Sequence, residues 1–460
     1  MARPARHQRL PSAGPEREAL REKGQFWTPS WVAEAMVGYV LHGGADHLFD
    51  PAVGAGAFFH AAKALGRQVG RQIALFGAEI DPEAMRQAAE TGLTADDLAA
   101  VEMRSFVLHP PRRTFRAIAA NPPYIRHHRL PITLKAELKA YGASVIGTPL
   151  DGRAGLHVYF LLRALQQLDA GGRLAFIMPA DTCEGTFAPA LWAWITHHYR
   201  LDAVVTFAPE ATPFPGVDTN ALIFLIQRDT PADSFLWARC TEAGTRNLAM
   251  WTCSGFGHVP DGALEVHHRL IHEALRTGLS RPPITDAEAH EGPILADFAT
   301  VMRGIATGAN DFFFLTRERA HALGIPDAFL RDAIGRTRDV AEPEVTAATL
   351  RRLEAAGRPT RLLSLDGRPV EGFPAAVREY LRRGEDMGLP GKALISQRKP
   401  WYKMESRPVP PFLFAYLGRR NARFIRNSAG VLPLTGFLCV YPRSQDPAVI
   451  EKLWRVLRHP

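Results

Sequence analysis

Hydrophobic and polar positions along this chain repeat with two periods, and the order of the two predicts the architecture. Residues 31–41 place Val32, Ala35, Met36 and Tyr39–Leu41 at helical spacing, and Thr28-Pro29 just ahead reads as an N-cap and first helical residue. Short apolar runs follow: Leu48–Asp50, Ile73–Ala78, Val101–Phe106 and Phe115–Ala120, each closed by turn residues and each of strand length. Residues 125–153 read as a loop, and Gly155–Leu168 as an amphipathic helix closed by Gly171-Gly172. Arg173–Pro179 is a buried strand, and Leu201–Phe207 with Thr219–Gln227 form a closing hairpin around Phe214-Pro215-Gly216-Val217. The pattern predicts a doubly wound α/β domain over residues 23–232. After the polar break Asp229–Asp233 the periodicity weakens, and residues 233–460 are expected to form a second, mixed α+β domain. Val301–Phe314 there combines glycines and polar side chains with an aromatic strand, while residues 1–22 read as a flexible polar tail.

Composition narrows this only slightly. At 460 residues the chain exceeds the roughly 250–300 residues at which single cores stop growing, in keeping with two domains. Hydrophobic content of 46% and charged content of 22% are those of a soluble globular protein. No apolar run is long enough to span a bilayer, and no apolar segment backs the charges of Met1–Arg9, so neither membrane nor secretion is expected. Cys183, Cys240, Cys253 and Cys439 form no CxxC pair, which favours a reducing cytoplasm. His267, His268 and His272 have helical spacing but no acidic or cysteine partner nearby, so they read as a solvated helix face and no metal site is expected. A net charge of +8 suits a polyanionic partner, although an arginine-rich composition alone produces it.

The chemistry sits at the strand ends. The first strand runs into Asp50-Pro51-Ala52-Val53-Gly54-Ala55-Gly56-Ala57-Phe58, an acidic, glycine-rich turn into a helix. Gly54 and Gly56 let backbone approach a ligand, and Asp50 suits an ammonium group or water; a pyrophosphate would be repelled there. Glu79, followed by Ile80, ends the second strand where a carboxylate accepts ribose hydroxyls. The fourth strand stops at Asn121-Pro122-Pro123-Tyr124. Asn121 Oδ1 and the Pro122 carbonyl offer two acceptors, and Tyr124 an aromatic face, for a flat group bearing an amine. A proline-rich strand end without chemistry would look the same on its own.

Taken in order, these motifs resemble the S-adenosylmethionine-dependent amino-methyltransferases. The whole chain resembles the N6-adenine DNA methyltransferases of restriction–modification type, in their gamma order: cofactor motifs first, the catalytic motif next, target recognition last. That resemblance implies a seven-stranded Rossmann-like sheet, S-adenosylmethionine as cofactor and double-stranded DNA as partner. It implies that Phe26 and Thr28 help to hold the cofactor, that Asp50, Pro51, Ala52, Gly54, Gly56 and Phe58 line it, and that Glu79 and Ile80 meet its ribose side. Phe106 would flank the cofactor adenine, and Phe214 would sandwich the target base opposite Tyr124. The family commonly has aspartate where this chain has Ser105, which bears on the contact to the cofactor adenine.

Basic residues interleaved with aromatics between Leu389 and Phe437 suit a nucleic-acid surface. Arg398, Lys399, Trp401, Tyr402, Lys403, Arg419, Arg420 and Arg423 are the candidates there, joined by Arg126 beside the tetrapeptide and by Arg303, Thr307 and Asn310 in Arg303–Gly308 and its flank. An ordinary solvated basic face is the competing reading. The implied reaction is flipping of an adenine and direct transfer of a methyl group to its N6, without a covalent intermediate. Enzymes that methylate RNA bases or protein glutamine amides share Asn-Pro-Pro-Tyr but usually lack the Phe26–Pro29 stretch and so large a basic C-terminal part. A catalytically idle DNA-binding protein on the same scaffold is the third reading. With 23 residues ahead of the first motif, a fused nuclease is not expected. A monomer is expected, with a separate restriction endonuclease or phage-defence assembly as partner.

Overall fold

The computed structural model describes residues 26–215, 217, 220–258, 261–283, 293–416 and 422–459, so the expected N-terminal tail lies outside the described residues. The chain divides into two compact units, Met1–Glu288 and Ala289–Pro460.

In the first unit β1 (His47–Asp50), β2 (Ala74–Glu79), β3 (Val101–Met103), β4 (Phe115–Ala120) and β5 (Leu168–Pro179) pair in parallel. β6 (Arg200–Phe207) and β7 (Ala221–Gln227) are antiparallel, and β7 inserts between β5 and β6. The order β3-β2-β1-β4-β5-β7-β6 is the expected seven-stranded sheet. Successive side chains on the central strands enter different cores: Ile118, Phe176 and Phe224 pack in one, Ala117, Ala119 and Ile177 in the other. Burial on both faces is why these strands read as unbroken apolar runs.

Two further strands were not legible. β8 (Ser234–Cys240) joins β6 in parallel and β9 (Leu264–Leu270) joins β8 antiparallel, extending the sheet to nine strands. The helix Asn247–Cys253 between them buries Trp251 in the same core as Val32, Met36 and Tyr39 of the helix Ser30–His42. The unit therefore runs past the boundary expected after residue 232, because the polar break at Asp229–Asp233 only connects β7 to β8, which lie on either side of β6 in the same sheet.

Other differences are local. Gly171, at φ +71°, and Gly172 lie inside β5, where the register passes from Phe115–Leu168 to Ala117–Arg173 through a bulge; the helix Leu156–Gln166 has already ended. The expected loop after the tetrapeptide holds a 15-residue helix, Ile132–Ile146. His267 and His268 lie on β9 and His272 on the helix Ile271–Thr277, so the three do not share a helix face. Pro29, not Thr28, caps Ser30–His42, and no side chain bonds that end.

The second unit is mixed α+β, with a five-stranded and a four-stranded sheet. Phe312 and Phe313 belong to a short helix, Asn310–Phe313, rather than to a strand. Among the described residues no helix is long and apolar enough to cross a membrane.

Candidate active site

The carboxyl ends of β1, β2 and β4 bring together the turn after Asp50, the turn after Glu79, and Asn121–Tyr124. Asp50 is fully buried. Its Oδ1 accepts the Ala52 amide at 3.0 Å, and its Oδ2 meets no partner among the described residues. Burial, with a smaller push from the Glu79 charge and against the Ala52 hydrogen bond, raises its pKa from 3.8 to about 8. A buried carboxylate oxygen without a partner is the feature that a bound cation would satisfy.

Glu79 is held by three backbone amides: Gly54 donates to Oε2 at 2.9 Å, and Ile80 and Asp81 donate to Oε1 at 2.8 and 2.9 Å. A carboxylate has about four lone-pair sites, so roughly one is left for a ligand hydroxyl rather than the pair expected. Gly56 caps the helix Ala57–Gln68 at φ +81°, a conformation that favours glycine.

Gly77 was missed. It pairs with Asp50 in register, and a Cβ there would lie 2.3 Å from Val53 Cγ2 and 3.1 Å from the Asp50 carbonyl oxygen. A glycine inside a strand signals close backbone approach, which is how it could have been found. Gly77→Ala is expected to lower stability by about 1–3 kcal/mol and to weaken cofactor binding, because the first turn must shift; thermal melts with and without cofactor check both.

Asn121 Nδ2 donates to the Phe26 carbonyl at 2.7 Å and to Thr28 Oγ1 at 3.1 Å. A carbonyl only accepts, so these partners fix which end of the amide is nitrogen. Oδ1 faces the other way and, like the Pro122 carbonyl, accepts no hydrogen bond among the described residues. Tyr124 is 9% exposed and donates from its hydroxyl to the Ile177 carbonyl at 3.1 Å, which fixes the ring beside the lip. Phe26 packs on Tyr124 and on Phe214, with ring centroids 5.7 and 5.9 Å away. Tyr124 and Phe214 meet edge to face, at 6.4 Å and 82°, so the expected parallel sandwich is not formed in this arrangement.

Behind Tyr124 lie two groups that the sequence did not single out. His157 is 2% exposed, packs edge-on to the Tyr124 ring, and has both ring nitrogens unpaired; burial pushes its pKa down to about 3. Asp181 is exposed but lies 3.6 Å from His157 Nε2, and partial desolvation there raises its pKa against the pull of Arg126.

Of the other cofactor candidates, Phe58, Phe106 and Pro51 are buried. Phe58 is 2% exposed, and Phe106, 1% exposed, packs on Phe49 and Phe160 instead of facing the lip. Pro51 is buried in the turn, while Ala52 is half-buried. Ser105 is half-buried, and its carbonyl accepts the His109 amide at 2.8 Å. Ile80, 71% exposed, is an apolar side chain left open at the lip.

In the second unit the cluster is more structural than its composition implied. Arg398 donates to the Ala306 and Thr307 carbonyls at 2.6 and 2.8 Å and lies over the Phe313 ring, clamping the loop after Arg303. Gly304 passes so close to Leu434 that a Cβ would sit 2.1 Å from its carbonyl oxygen. Thr307 is buried and donates to Asn310 Oδ1, Tyr402 is 3% exposed and bonds the Arg368 carbonyl, and Trp401 packs on Phe312 and Phe313. Arg423 donates to the Val340 carbonyl. Phe412 stacks on Trp454 inside the unit. Arg126, Arg303, Lys399 and Lys403 are exposed, with Arg303 3.4 Å from Glu405. Arg419 and Arg420 lie outside the described residues.

The model of the N-6 DNA Methylase family matches residues 16–242, and that of the C-terminal domain of the Type II methyltransferase M.Eco57I matches residues 283–453. Residues 16–242 belong to the N-6 DNA methylase family. Similar curated proteins include the Type II methyltransferase M.AccI of Acinetobacter calcoaceticus, 22% identical over 437 residues, 94% of this chain and 78% of the relative. The Type II methyltransferase M.XamI of Xanthomonas campestris pv. amaranthicola is 25% identical over 429 residues, 91% of this chain and 76% of the relative. Among solved structures, the Type IIL restriction-modification enzyme MmeI in complex with DNA aligns over 92% of this chain at a TM-score of 0.52 and 14% identity. This methylase spans 61% of that chain, and 53% of the type IIG restriction endonuclease BpuSI, at 14% identity and a TM-score of 0.45. The family uses S-adenosylmethionine, and the donor set fits it: an unsatisfied buried carboxyl for an ammonium, an amide-held carboxylate for a ribose hydroxyl, and an exposed apolar side chain for a ring.

Proposed function

We propose that this methylase is a site-specific DNA adenine N6-methyltransferase that draws its target base out of the duplex and transfers a methyl group directly to N6. The observation that carries the reading is the fixed amide of Asn121, whose Nδ2 is occupied by Phe26 and Thr28 so that Oδ1 faces the lip. The S-adenosylmethionine held beside it supplies an electrophilic sulfonium methyl. N6 of adenine is a poor nucleophile because its lone pair is shared with the ring. Asn121 Oδ1 and the Pro122 carbonyl accept its two N–H bonds, draw the lone pair out of conjugation and stabilise the positive charge that grows on nitrogen. Tyr124 stacks on the extruded base, which offsets an unstacking cost of a few kcal/mol by roughly 1–3 kcal/mol. For Phe214 to cover the other face, Phe26 and Phe214 must turn from their present packing.

Duplex DNA is the substrate in this reading, Arg126, Arg303, Lys399 and Lys403 its exposed cations, and the enzyme acts as a monomer in the cytoplasm. A separate restriction endonuclease or a phage-defence assembly completes the system. Losing Lys399 and Lys403 to alanine is expected to weaken DNA binding and to lower its salt slope by about 0.9 per phosphate contact, without a change in melting temperature. Arg398→Ala instead is expected to cost about 1.5–3 kcal/mol of stability, because it removes charged donors from two carbonyls. Salt titrations and thermal melts separate the two.

A tritiated-methyl assay on DNA, RNA and protein tests the function. Label on RNA or protein alone, or on none of them, overturns it. Methylation-sensitive long-read sequencing of DNA from an expressing host then maps the site.

A further inference from the structure

Between the tetrapeptide and the helix Ile132–Ile146 the chain leaves the carboxyl edge of the sheet as a short connection with a pinned root and an exposed end, Ile132. At the root the Ile125 amide donates to the Pro123 carbonyl, the Leu156 amide donates to the Ile125 carbonyl, each at 2.9 Å, and Leu130 is 6% exposed in the core. At the helix start Ile132 is 85% exposed, the highest value among the large hydrophobic side chains described. Arg126, His128 and Arg129 are exposed beside it and Lys135, one turn along, is half-buried. No acidic residue occurs between Asn121 and Glu137, and the carboxyl that does feel this segment's charge is Asp181, through Arg126.

A lone apolar side chain in a collar of cations does not suit a protein partner, whose interface cores are depleted in charge. It suits a duplex from which a base has been removed. Proteins that unstack DNA insert Ile, Leu, Phe or Met between base steps, while nearby cations hold the phosphates.

We propose that Ile132 is a wedge that enters the base stack beside the target adenine, with Arg126, Arg129 and Lys135 on the flanking phosphates. The inference rests on the adenine-methyltransferase reading. Ile132 here is a positioning residue: it fills the space the base vacates and touches none of the reacting atoms.

The test uses the full chain and two duplexes carrying the site mapped by sequencing, one with the target adenine paired and one with it opposite an abasic position. Ile132→Ser is expected to bind the paired duplex within about twofold of wild type, yet methylate it at least about tenfold more slowly, since unstacking costs a few kcal/mol. The fluorescence gain of 2-aminopurine at the target position falls in parallel. On the abasic-opposed duplex the variant is expected to regain wild-type turnover, and Ile132→Leu to keep wild-type turnover on both. Wild-type turnover of Ile132→Ser on the paired duplex overturns the wedge, as does an equal loss on both duplexes. If the wild-type enzyme methylates neither duplex, the functional reading itself is overturned and the wedge with it.

Discussion

Asn121→Ala is expected to abolish methylation, by at least about 10²–10³-fold in turnover, while S-adenosylmethionine still binds. The size follows from removing one preorganised group aimed at developing charge, which typically costs that much. The cofactor contacts argued for Asp50, Glu79 and Ile80 do not pass through the Asn121 side chain, so affinity changes little. Thr28→Val is the finer probe. It removes one of the two acceptors that hold Nδ2 and leaves the Phe26 carbonyl, so turnover falls only by the worth of one hydrogen bond, about 1 kcal/mol or roughly fivefold. Single-turnover rates and equilibrium binding of the cofactor, measured on each variant, separate chemistry from affinity. An Asn121→Ala enzyme within tenfold of wild-type turnover would sink the assignment of the amide.

The frame around that pair of residues was partly legible in the sequence. The strands of the central sheet were legible because burial on both faces leaves little but apolar residues in them, and the glycine turn, Glu79 and Asn-Pro-Pro-Tyr stand at their ends. The link between Thr28 and Asn121 was not legible as geometry, because the partners lie 93 residues apart and nothing in local pattern sets a long-range hydrogen bond. β8 and β9 were missed for a related reason. At an edge of the sheet their alternation is imperfect, with Arg269 buried inside β9 by bonds to the Gly278 and Leu279 carbonyls. Phe58 and Phe106 show what local pattern does not carry: an aromatic near a site in sequence is buried when the helix or turn that holds it faces the core. The second unit misled through composition, since several of its arginines and aromatics hold loops together rather than face solvent.

Asp50→Asn is expected to stabilise the cofactor-free protein while costing it the cofactor. In the folded protein Asp50 titrates near pH 8, against 3.8 for an unperturbed aspartate. Below about pH 4 both folded and unfolded chains hold the proton and burial carries no ionic penalty. Between about pH 4 and pH 8 the unfolded chain is ionised and the folded one is not, so folding takes up a proton and stability falls as pH rises, by up to about 1.4 kcal/mol per pH unit. Above about pH 8 both are ionised and the loss is complete. Asparagine does not titrate, so the gap in melting temperature between variant and wild type widens from about pH 5 to about pH 8 and then levels. A cationic ammonium reverses the slope, because it binds the carboxylate and expels the proton. Wild-type affinity for S-adenosylmethionine is therefore expected to rise up to tenfold per pH unit towards about pH 8, whereas the variant binds weakly and without that slope. Thermal melts across this range with and without cofactor, and calorimetry of proton release, read both effects. A gap in melting temperature that does not change with pH would mean that Asp50 is already ionised in the empty enzyme, and that its buried, protonated carboxyl is not what the cofactor relieves.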